Sequence, residues 1–176
     1  MTTRLIAKPG VHQYPPYAAT YIEKVPDDGR VFDHLASGIE EVIKTIDSLT
    51  EEQLLYRYEV DKWTIKEILV HLMDAERVFA YRGLRCARKD KTPIPGFDHN
   101  SYVPASEAND RTLTDILAEY RAQRTATIAF FSHLSDAALD EVGVASTLPC
   151  SAKAMTYMIA GHEQHHLRII RERYLN

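Results

Sequence analysis

Residues Trp63–Leu72 have the sequence WTIKEILVHL, which carries a strong helix pattern. Thr64 is a good helix N-cap and Glu67 stands three residues later, so the two side chains can form a capping box. Apolar residues of this segment, together with Met73 directly after it, recur at the spacings of one helix face: Ile65, Ile68, Leu69, Leu72 and Met73. The pattern predicts a long helix that begins at Thr64, continues to about Arg88 and ends before the prolines at positions 93 and 95.

Three further amphipathic segments accompany this helix. Helices are predicted over about 31–48, over 113–134, and from Ser151 as an N-cap to near the end of the chain. Thr50–Gln53 forms a second capping box that opens a short helix. A few residues within 142–148 could be extended, but they are too few for a sheet. Four long helices joined by loops predict an all-α, up-and-down four-helix bundle with long loops.

Composition limits the class of protein. With 176 residues, 45% of them hydrophobic and 26% charged, the chain is typical of one globular domain. We expect residues 1–30 to be an N-terminal extension and residues 31–176 to form the bundle. The net charge of −4, without a basic stripe, argues against nucleic-acid binding. No apolar run approaches the roughly 20 residues of a membrane span, and the N-terminus lacks a signal-peptide core, so we expect a cytoplasmic protein. Cys86 and Cys150 lie far apart in the sequence, make no disulfide framework, and are expected to be structural.

The last predicted helix carries the segment GHEQHH, residues 161–166. Residues four apart on a helix differ by about 40° and one turn, so His162 and His166 can aim their imidazoles at one point. His165 diverges from His166 by about 100° and is expected at the edge of the site. A catalytic metal is usually held by three protein ligands beside an open position. His71 lies on or beside the inward stripe of its helix, so the pattern indicates a three-histidine metal site inside the bundle.

Other interpretations of these residues stay open. The letters spell the zinc-protease motif H-E-x-x-H, but there the third ligand follows the motif, and only Glu172 is an acidic candidate after His166. The histidines could instead be core residues, or residues of a solvated helix end. Asp74 follows His71 by three positions and could be a general base, a fourth ligand or a carboxylate that orients an imidazole. It could equally form a surface ion pair with Arg77.

Three segments carry a resemblance to a known family. They are WTIKEILVHLMDAERVFAYR (63–82), KTPIPGFDHNSYV (91–103) and GHEQHHLRIIRERY (161–174). In this order and spacing they resemble the DinB-like family of four-helix bundles, which includes the YfiT-like proteins described as metal-dependent hydrolases. The resemblance extends over about residues 32–174. The first thirty residues have no counterpart in it, and His99 stands where an acidic residue is expected.

The resemblance implies one divalent metal ion, zinc or nickel, bound by His71, His162 and His166, the residues that the helix geometry also selects. It implies a metal-dependent reaction on a small molecule, either hydrolysis or S-transfer with a low-molecular-weight thiol such as bacillithiol, mycothiol or glutathione. Asp74 is then the candidate catalytic base. Relatives commonly dimerise, so we expect a homodimer. The alternative is a non-catalytic, stress-related bundle whose metal ties two helices together, for which a closed site with four protein ligands would be evidence.

No motif identifies the substrate. Arg82, Arg85, Arg88 and Tyr102 could line or flank a pocket for an anion, but the arginines could also be ordinary helix-surface charges. Glu163 is rotated by about 100° from His162, so a packing or solvated role is favoured over proton transfer.

Overall fold

The computed structural model describes residues 4–175, which form eight α-helices and one β-hairpin. The helices are α1 Ala19–Ile22, α2 Val31–Ile46, α3 Glu51–Leu54, α4 Ile65–Ala87, α5 His99–Ala105, α6 Leu113–Ser132, α7 Asp136–Asp140 and α8 Ala152–Arg173. The strands are β1 Val142–Ala145 and β2 Leu148–Ser151, and single 3-10 turns occur at Val11–Gln13, Pro16–Ala18 and Ala108–Asp110. None of the helices in this part of the chain is long and apolar enough to cross a membrane.

The predicted helix starts are confirmed at atomic detail. The Thr64 hydroxyl accepts a hydrogen bond from the Glu67 amide at 3.1 Å, and the Glu67 carboxylate accepts one from the Thr64 amide at 2.8 Å. This reciprocal pair satisfies two of the amide groups that a helix start leaves without intrahelical partners. Thr50 and Gln53 form the second predicted capping box. Local sequence therefore fixes where α3 and α4 begin.

The four long helices α2, α4, α6 and α8 form the predicted four-helix bundle. Helix α4 contacts α6 and α8, and α2 contacts the same two helices from the opposite side. Helices α4 and α8 are antiparallel, because Trp63 at the start of α4 accepts a hydrogen bond from Tyr174 beyond the end of α8. Helices α4 and α6 are parallel. Glu76 accepts a hydrogen bond from Arg124, and about two turns further along both helices Gly83 lies against Phe131. The pairs α2 with α4 and α6 with α8 are therefore diagonal.

The direction of the helices differs from simple alternation. Helix α2 runs parallel to α8, because Gly38 lies against Glu163 and, further along both helices, Glu41 pairs with Arg171. It runs antiparallel to α6, because Leu35 meets Arg124 whereas the later Glu40 meets the earlier Arg121. The order is up, down, down, up rather than the predicted up-and-down order. The cause is the connection 88–112, which returns along the bundle and ends beside the start of α4. There Thr64 donates a hydrogen bond to Asn109 at 2.7 Å.

A β-hairpin connects α7 to α8, where the sequence analysis expected too few extended residues for a sheet. Its strands pair antiparallel from Val142 with Ser151 to Ala145 with Leu148. Ser146 and Thr147 make the turn with positive φ angles of 52° and 67°. The hairpin packs on α4, where the buried free thiols of Cys86 and Cys150 lie with their Sγ atoms 2.7 Å apart. Residues distant in the sequence are thus neighbours in the fold.

The core contains two apolar clusters with a layer of buried charge between them. On α4, Glu76 lies between Met73 of one cluster and Phe79 of the other. On α8, Glu163 lies in the same way between Ile159 and Leu167. These two carboxylates meet a buried arginine of α6, so the layer joins three of the four long helices. It marks the level of the bundle at which the histidines of the candidate site also lie.

The described part of the N-terminal segment, residues 4–30, packs onto the bundle. Ile22 and Val25 belong to the first apolar cluster. The Tyr157 hydroxyl donates a hydrogen bond to the carbonyl of Ile6 at 2.5 Å. Helix α1 approaches α8 closely at Gly161, where a Cβ atom would lie 2.5 Å from the carbonyl carbon of Tyr21. The division into an extension and a bundle domain stays a prediction, but these contacts place Tyr21 beside the histidines.

Candidate metal centre

Three histidines converge between the antiparallel helices α4 and α8. The Nε2 atom of His162 lies 3.1 Å from Nε2 of His71 and 3.1 Å from Nε2 of His166. All three candidate ligand atoms lie within 4.8 Å of one another. The structure thus brings together the three residues that sequence reasoning selected. His162 and His166 share a face of α8 because they are four residues apart, and the antiparallel packing brings His71 opposite them.

Burial keeps these imidazoles neutral. Desolvation lowers the pKa of His71 from the ordinary 6.5 to about 4, with a smaller contribution from His99. Desolvation, followed by the neighbouring histidines, holds the pKa of His162 and of His166 well below the ordinary value. A neutral imidazole offers one nitrogen lone pair, which is the form that ligates a metal.

The donor set fits a divalent transition metal. Three neutral imidazoles facing one point suit zinc, nickel, copper or iron. A neutral imidazole carries a single ring proton. When that proton is on Nδ1, Nε2 can only accept, so hydrogen bonds cannot link the three Nε2 atoms to one another. The Nδ1 atom of His166 is buried without a hydrogen-bond partner among the described residues. The group found within the described residues has three members and no fourth protein ligand.

Aromatic rings surround the histidines and form the wall of a cavity. The ring centroids of Trp63 and His71 are 4.7 Å apart, and those of Tyr21 and His162 are 5.2 Å apart. The cavity has a volume of about 620 Å³ and is lined by all three histidines. Its other walls include Phe79, Arg82, Phe97 and His99. The three ligand atoms therefore face a space that a small molecule can enter.

Two further histidines lie at the edge of this site. His165 is half-buried, stands edge-on to Tyr21 with centroids 5.6 Å apart, and lines the cavity outside the ligand group, as expected. His99 lines the cavity from the first residue of α5, with its ring centroid 5.6 Å from that of His71. In the sequence, His99 is only a departure from the family pattern. No helical spacing could connect it with the site, because it lies on the connection that returns along the bundle.

Asp74 does not join the three histidines. Its carboxylate accepts a hydrogen bond from Arg77 at 3.2 Å, and it lies towards Glu119 and Arg111 near the α6 side of α4. Burial raises its pKa, and Arg77 opposes that rise. A step of three residues turns the helix by about 60° short of a full turn, which directs Asp74 away from the cavity. Asp74 therefore forms the ion pair with Arg77, the alternative to a role at the metal.

Glu163 lies beneath the site in the buried charged layer. Its carboxylate accepts hydrogen bonds from Arg124 at 2.7 Å and from the Tyr120 hydroxyl. Arg124 also bonds Glu76 at 3.0 Å and the Leu35 carbonyl at 2.6 Å. Burial raises the pKa of Glu163, and the charge of Arg124 opposes that rise. Because Glu163 follows His162 directly, these bonds fix the rotation of α8 that turns the histidines towards α4.

Comparison with known proteins agrees with this architecture. The sequence profile of the DinB superfamily matches residues 34–170. The chain belongs to the DinB superfamily. A protein of Oceanobacillus iheyensis named "Putative metal-dependent hydrolase OB0413" is 27% identical over 131 residues, which cover 73% of this chain and 74% of that protein. The solved structure of YfiT from Bacillus subtilis, described as "a probable metal-dependent hydrolase with an unusual four-helix bundle topology", matches with a TM-score of 0.74 at 16% identity, over 85% of this chain and 88% of that one.

The DinB superfamily match includes all three histidines and reaches from α2 to α8. The likeness to YfiT shows the fold, since 16% identity is too low to transfer more. Residues 4–33 lie outside the family match, although Tyr17 and Tyr21 of this segment line the cavity. The wall of the cavity is therefore built partly from residues that the superfamily match does not include.

Proposed function

We propose that His71, His162 and His166 bind one divalent metal ion and that the chain is a metal-dependent hydrolase of a small molecule. The observation that carries this proposal is the position of the three Nε2 atoms, which face an aromatic cavity of about 620 Å³. The Oceanobacillus relative, named a putative metal-dependent hydrolase, supports the same class of reaction. A pocket of this size is in the range that takes a small-molecule ligand.

Each part of the site has a task in this proposal. A divalent ion bound there would supply Lewis-acid chemistry towards an acyl or phosphoryl oxygen or a water molecule. The three neutral imidazoles hold the ion, and the charged layer beneath keeps α8 in the rotation that aims them. Trp63, Tyr21 and Phe79 exclude bulk water and provide apolar surface for the substrate. We assign no proton transfer to Asp74, because it lies outside the cavity wall.

A purely structural metal is the alternative class. Such sites are usually closed by four protein ligands. The histidine group within the described residues has three members and lines a cavity, which favours the enzyme. S-transfer with a low-molecular-weight thiol would use the same three histidines and stays a prediction.

The proposal is tested with protein purified without a nickel column and then loaded with zinc or nickel. A panel of small esters, amides and thiol–electrophile pairs separates hydrolysis from S-transfer. We expect hydrolysis in the wild type, its loss in His71→Ala and His162→Ala, and its retention in His133→Ala, whose ring is exposed and bonds the carbonyl of Ala129. Wild-type rates in His71→Ala, or no reaction of any substrate class with either metal, would contradict the proposal.

Metal identity, assembly and location stay predictions. Zinc and nickel both suit three imidazoles. Native mass spectrometry of the loaded protein reports the bound metal and the homodimer in one measurement. The cytoplasmic location is tested by fractionating cells that express the full chain.

A further inference from the structure

Arg82 is a buried cation in the cavity wall without an anionic partner. The residue is 7% exposed and lines the cavity that contains the three histidines. Its Nη2 atom donates a hydrogen bond to the Ser146 hydroxyl at 3.2 Å, while its Nε atom is buried and unpaired. No carboxylate of residues 4–175 forms an ion pair with it. The guanidinium therefore keeps a buried donor without a partner, beside the cavity that the residue lines.

The other arginines of this region show what is unusual about Arg82. The buried Arg124 is surrounded by two carboxylates, those of Glu76 and Glu163. Arg85 is paired with Asp90, and the exposed Arg88 lies over the ring of Phe130. An arginine stays protonated when it is buried, so an unpaired one costs free energy that a single hydroxyl does not offset. Among the arginines that the sequence left open, Arg82 is the one that faces the cavity.

Arg82 and the candidate metal site lie on one face of α4. Arg82 follows His71 by eleven positions, which is about three turns with a residual rotation of about 20° and a rise of about 16 Å. Ala75 and Phe79 lie between them and line the same cavity. Long helical side chains lean towards the helix N-terminus, so the guanidinium is directed back towards the histidines. The cavity is thus elongated, with an apolar floor and a cation at the far end.

The β-hairpin holds the far end of the cavity in place. Ser146 lies in its turn, and the Ser146 amide donates a hydrogen bond to the carbonyl of Ile94 at 2.9 Å. The ring of Phe97 lies 5.9 Å from the Arg82 guanidinium carbon. One guanidinium and one hydroxyl in apolar surroundings match a single negative charge better than the double charge of a phosphate monoester.

We propose that Arg82, with Ser146, binds a carboxylate of the substrate, and that the substrate is an elongated molecule with an apolar middle. This inference rests on the proposed function, since it places the reacting bond at the three histidines and the carboxylate at the opposite end. Arg82 is then a specificity-determining residue: it selects among substrates by the charge of a group remote from the reaction.

The test compares two probes of the same shape, 4-phenylbutanoate and its neutral amide 4-phenylbutanamide. Their affinities for the zinc-loaded full chain are measured by calorimetry at pH 8. We expect the wild type to bind the carboxylate roughly tenfold to a hundredfold more tightly, the range for a hydrogen-bonded charged group. Arg82→Met should reduce the preference to near unity, and Arg88→Met, the same change at an exposed position of this helix end, should keep it.

Two outcomes would overturn the inference. One is a wild type that shows no preference for the carboxylate, including no binding of either probe. The other is an equal preference in Arg82→Met, which would mean that the metal, not Arg82, holds the carboxylate.

Thermal unfolding and metal content separate this inference from a structural role and from the proposed function. We expect Arg82→Met to unfold at the wild-type temperature or above it, because the change removes an unpaired buried charge. A lower unfolding temperature together with an unchanged carboxylate preference would make Arg82 a structural residue. Metal content should equal that of the wild type. If the wild type binds no metal, the proposed function fails, while the charge preference still tests Arg82 by itself.

Discussion

At the scale of the residue, burial decides how the histidines ionise. His71, His162 and His166 are each at most 9% exposed, and water is replaced around them by aromatic rings. Desolvation lowers the pKa of all three, so they present nitrogen lone pairs at neutral pH. The ligands are thus deprotonated before any ion arrives, which reduces the competition between protons and metal.

This burial predicts how stability of the metal-free protein depends on pH. In the unfolded chain the histidines titrate near 6.5, whereas folded His71 titrates at about 4. Between these values the unfolded state binds more protons, so the free energy of unfolding falls as the pH decreases from 6.5 towards 4. His162 and His166 act in the same direction.

The measurement is urea unfolding of metal-free protein at pH 7.5 and pH 5. The loss of stability between these pH values should be smaller in His71→Ala than in the wild type, and unchanged in His133→Ala. An equal loss in His71→Ala and wild type would show that folded His71 is not held neutral.

At the scale of the element, Gly161 sets how closely α1 approaches α8. A Cβ atom at position 161 would overlap the carbonyl group of Tyr21, which is backbone and cannot rotate away. Gly161→Ala should lower the free energy of unfolding by about 3 kcal/mol, the upper part of the usual range for overpacking. Gly96→Ala is the matched control, because its new Cβ would meet only the Ser146 hydroxyl at 3.5 Å. Chemical denaturation of both variants tests this, and equal stabilities would contradict the close contact.

The buried charged layer joins the long helices through one arginine. Arg124→Met would leave the carboxylates of Glu76 and Glu163 buried without their cation. Breaking a buried ion pair in this way costs about 3–5 kcal/mol. Arg121→Met removes an exposed pair with Glu40 on the same helix and should cost less than about 1 kcal/mol. Equal losses in the free energy of unfolding for the two substitutions, measured in urea, would show that water reaches the buried charged layer.

The elements differ in how far the sequence predicts them. The start of α4 is predictable because Thr64 and Glu67 bond each other within one turn. The β-hairpin is not, since each strand has 4 residues and the pairing depends on packing against α4. The direction of α6 cannot be predicted from the sequence either, because it follows from the path of residues 88–112 over the bundle. Hydrogen bonds within one helical turn can be predicted from the sequence, whereas the paths of long loops depend on tertiary contacts.

At the scale of the whole molecule, a metal at the site would connect two helices that belong to different parts of the chain. An ion that binds only the folded state at a hundred times its dissociation constant stabilises it by about 2.7 kcal/mol. For a domain of this length, that corresponds to about 5–10 °C in the unfolding temperature. Adding a chelator to the loaded wild type should lower the unfolding temperature by this amount and leave His162→Ala unaffected. A chelator effect of the same size in His162→Ala would place the metal elsewhere.

The candidate site shows the same division between what a sequence predicts and what folding adds. His162 and His166 are predictable as a pair because the spacing acts within one helix, and His71 because it lies on an inward stripe. Arg82 stayed one of several arginines, since only packing shows that it is buried and unpaired. Asp74 is a candidate catalytic base because it follows His71 by three positions, but the rotation of α4 places its carboxylate beside Arg77. Contacts between helices decide these cases.

Metal content shows most directly whether the three histidines bind an ion. Protein purified without a nickel column is loaded with zinc or nickel and desalted, and its metal content is measured by elemental mass spectrometry. We expect about one divalent ion per chain in the wild type and in the exposed-site control His133→Ala, since three imidazoles form one site. His71→Ala and His162→Ala should lose the ion. Full metal content in both of these variants, or no uptake by the wild type, would show that the three histidines do not form a metal site.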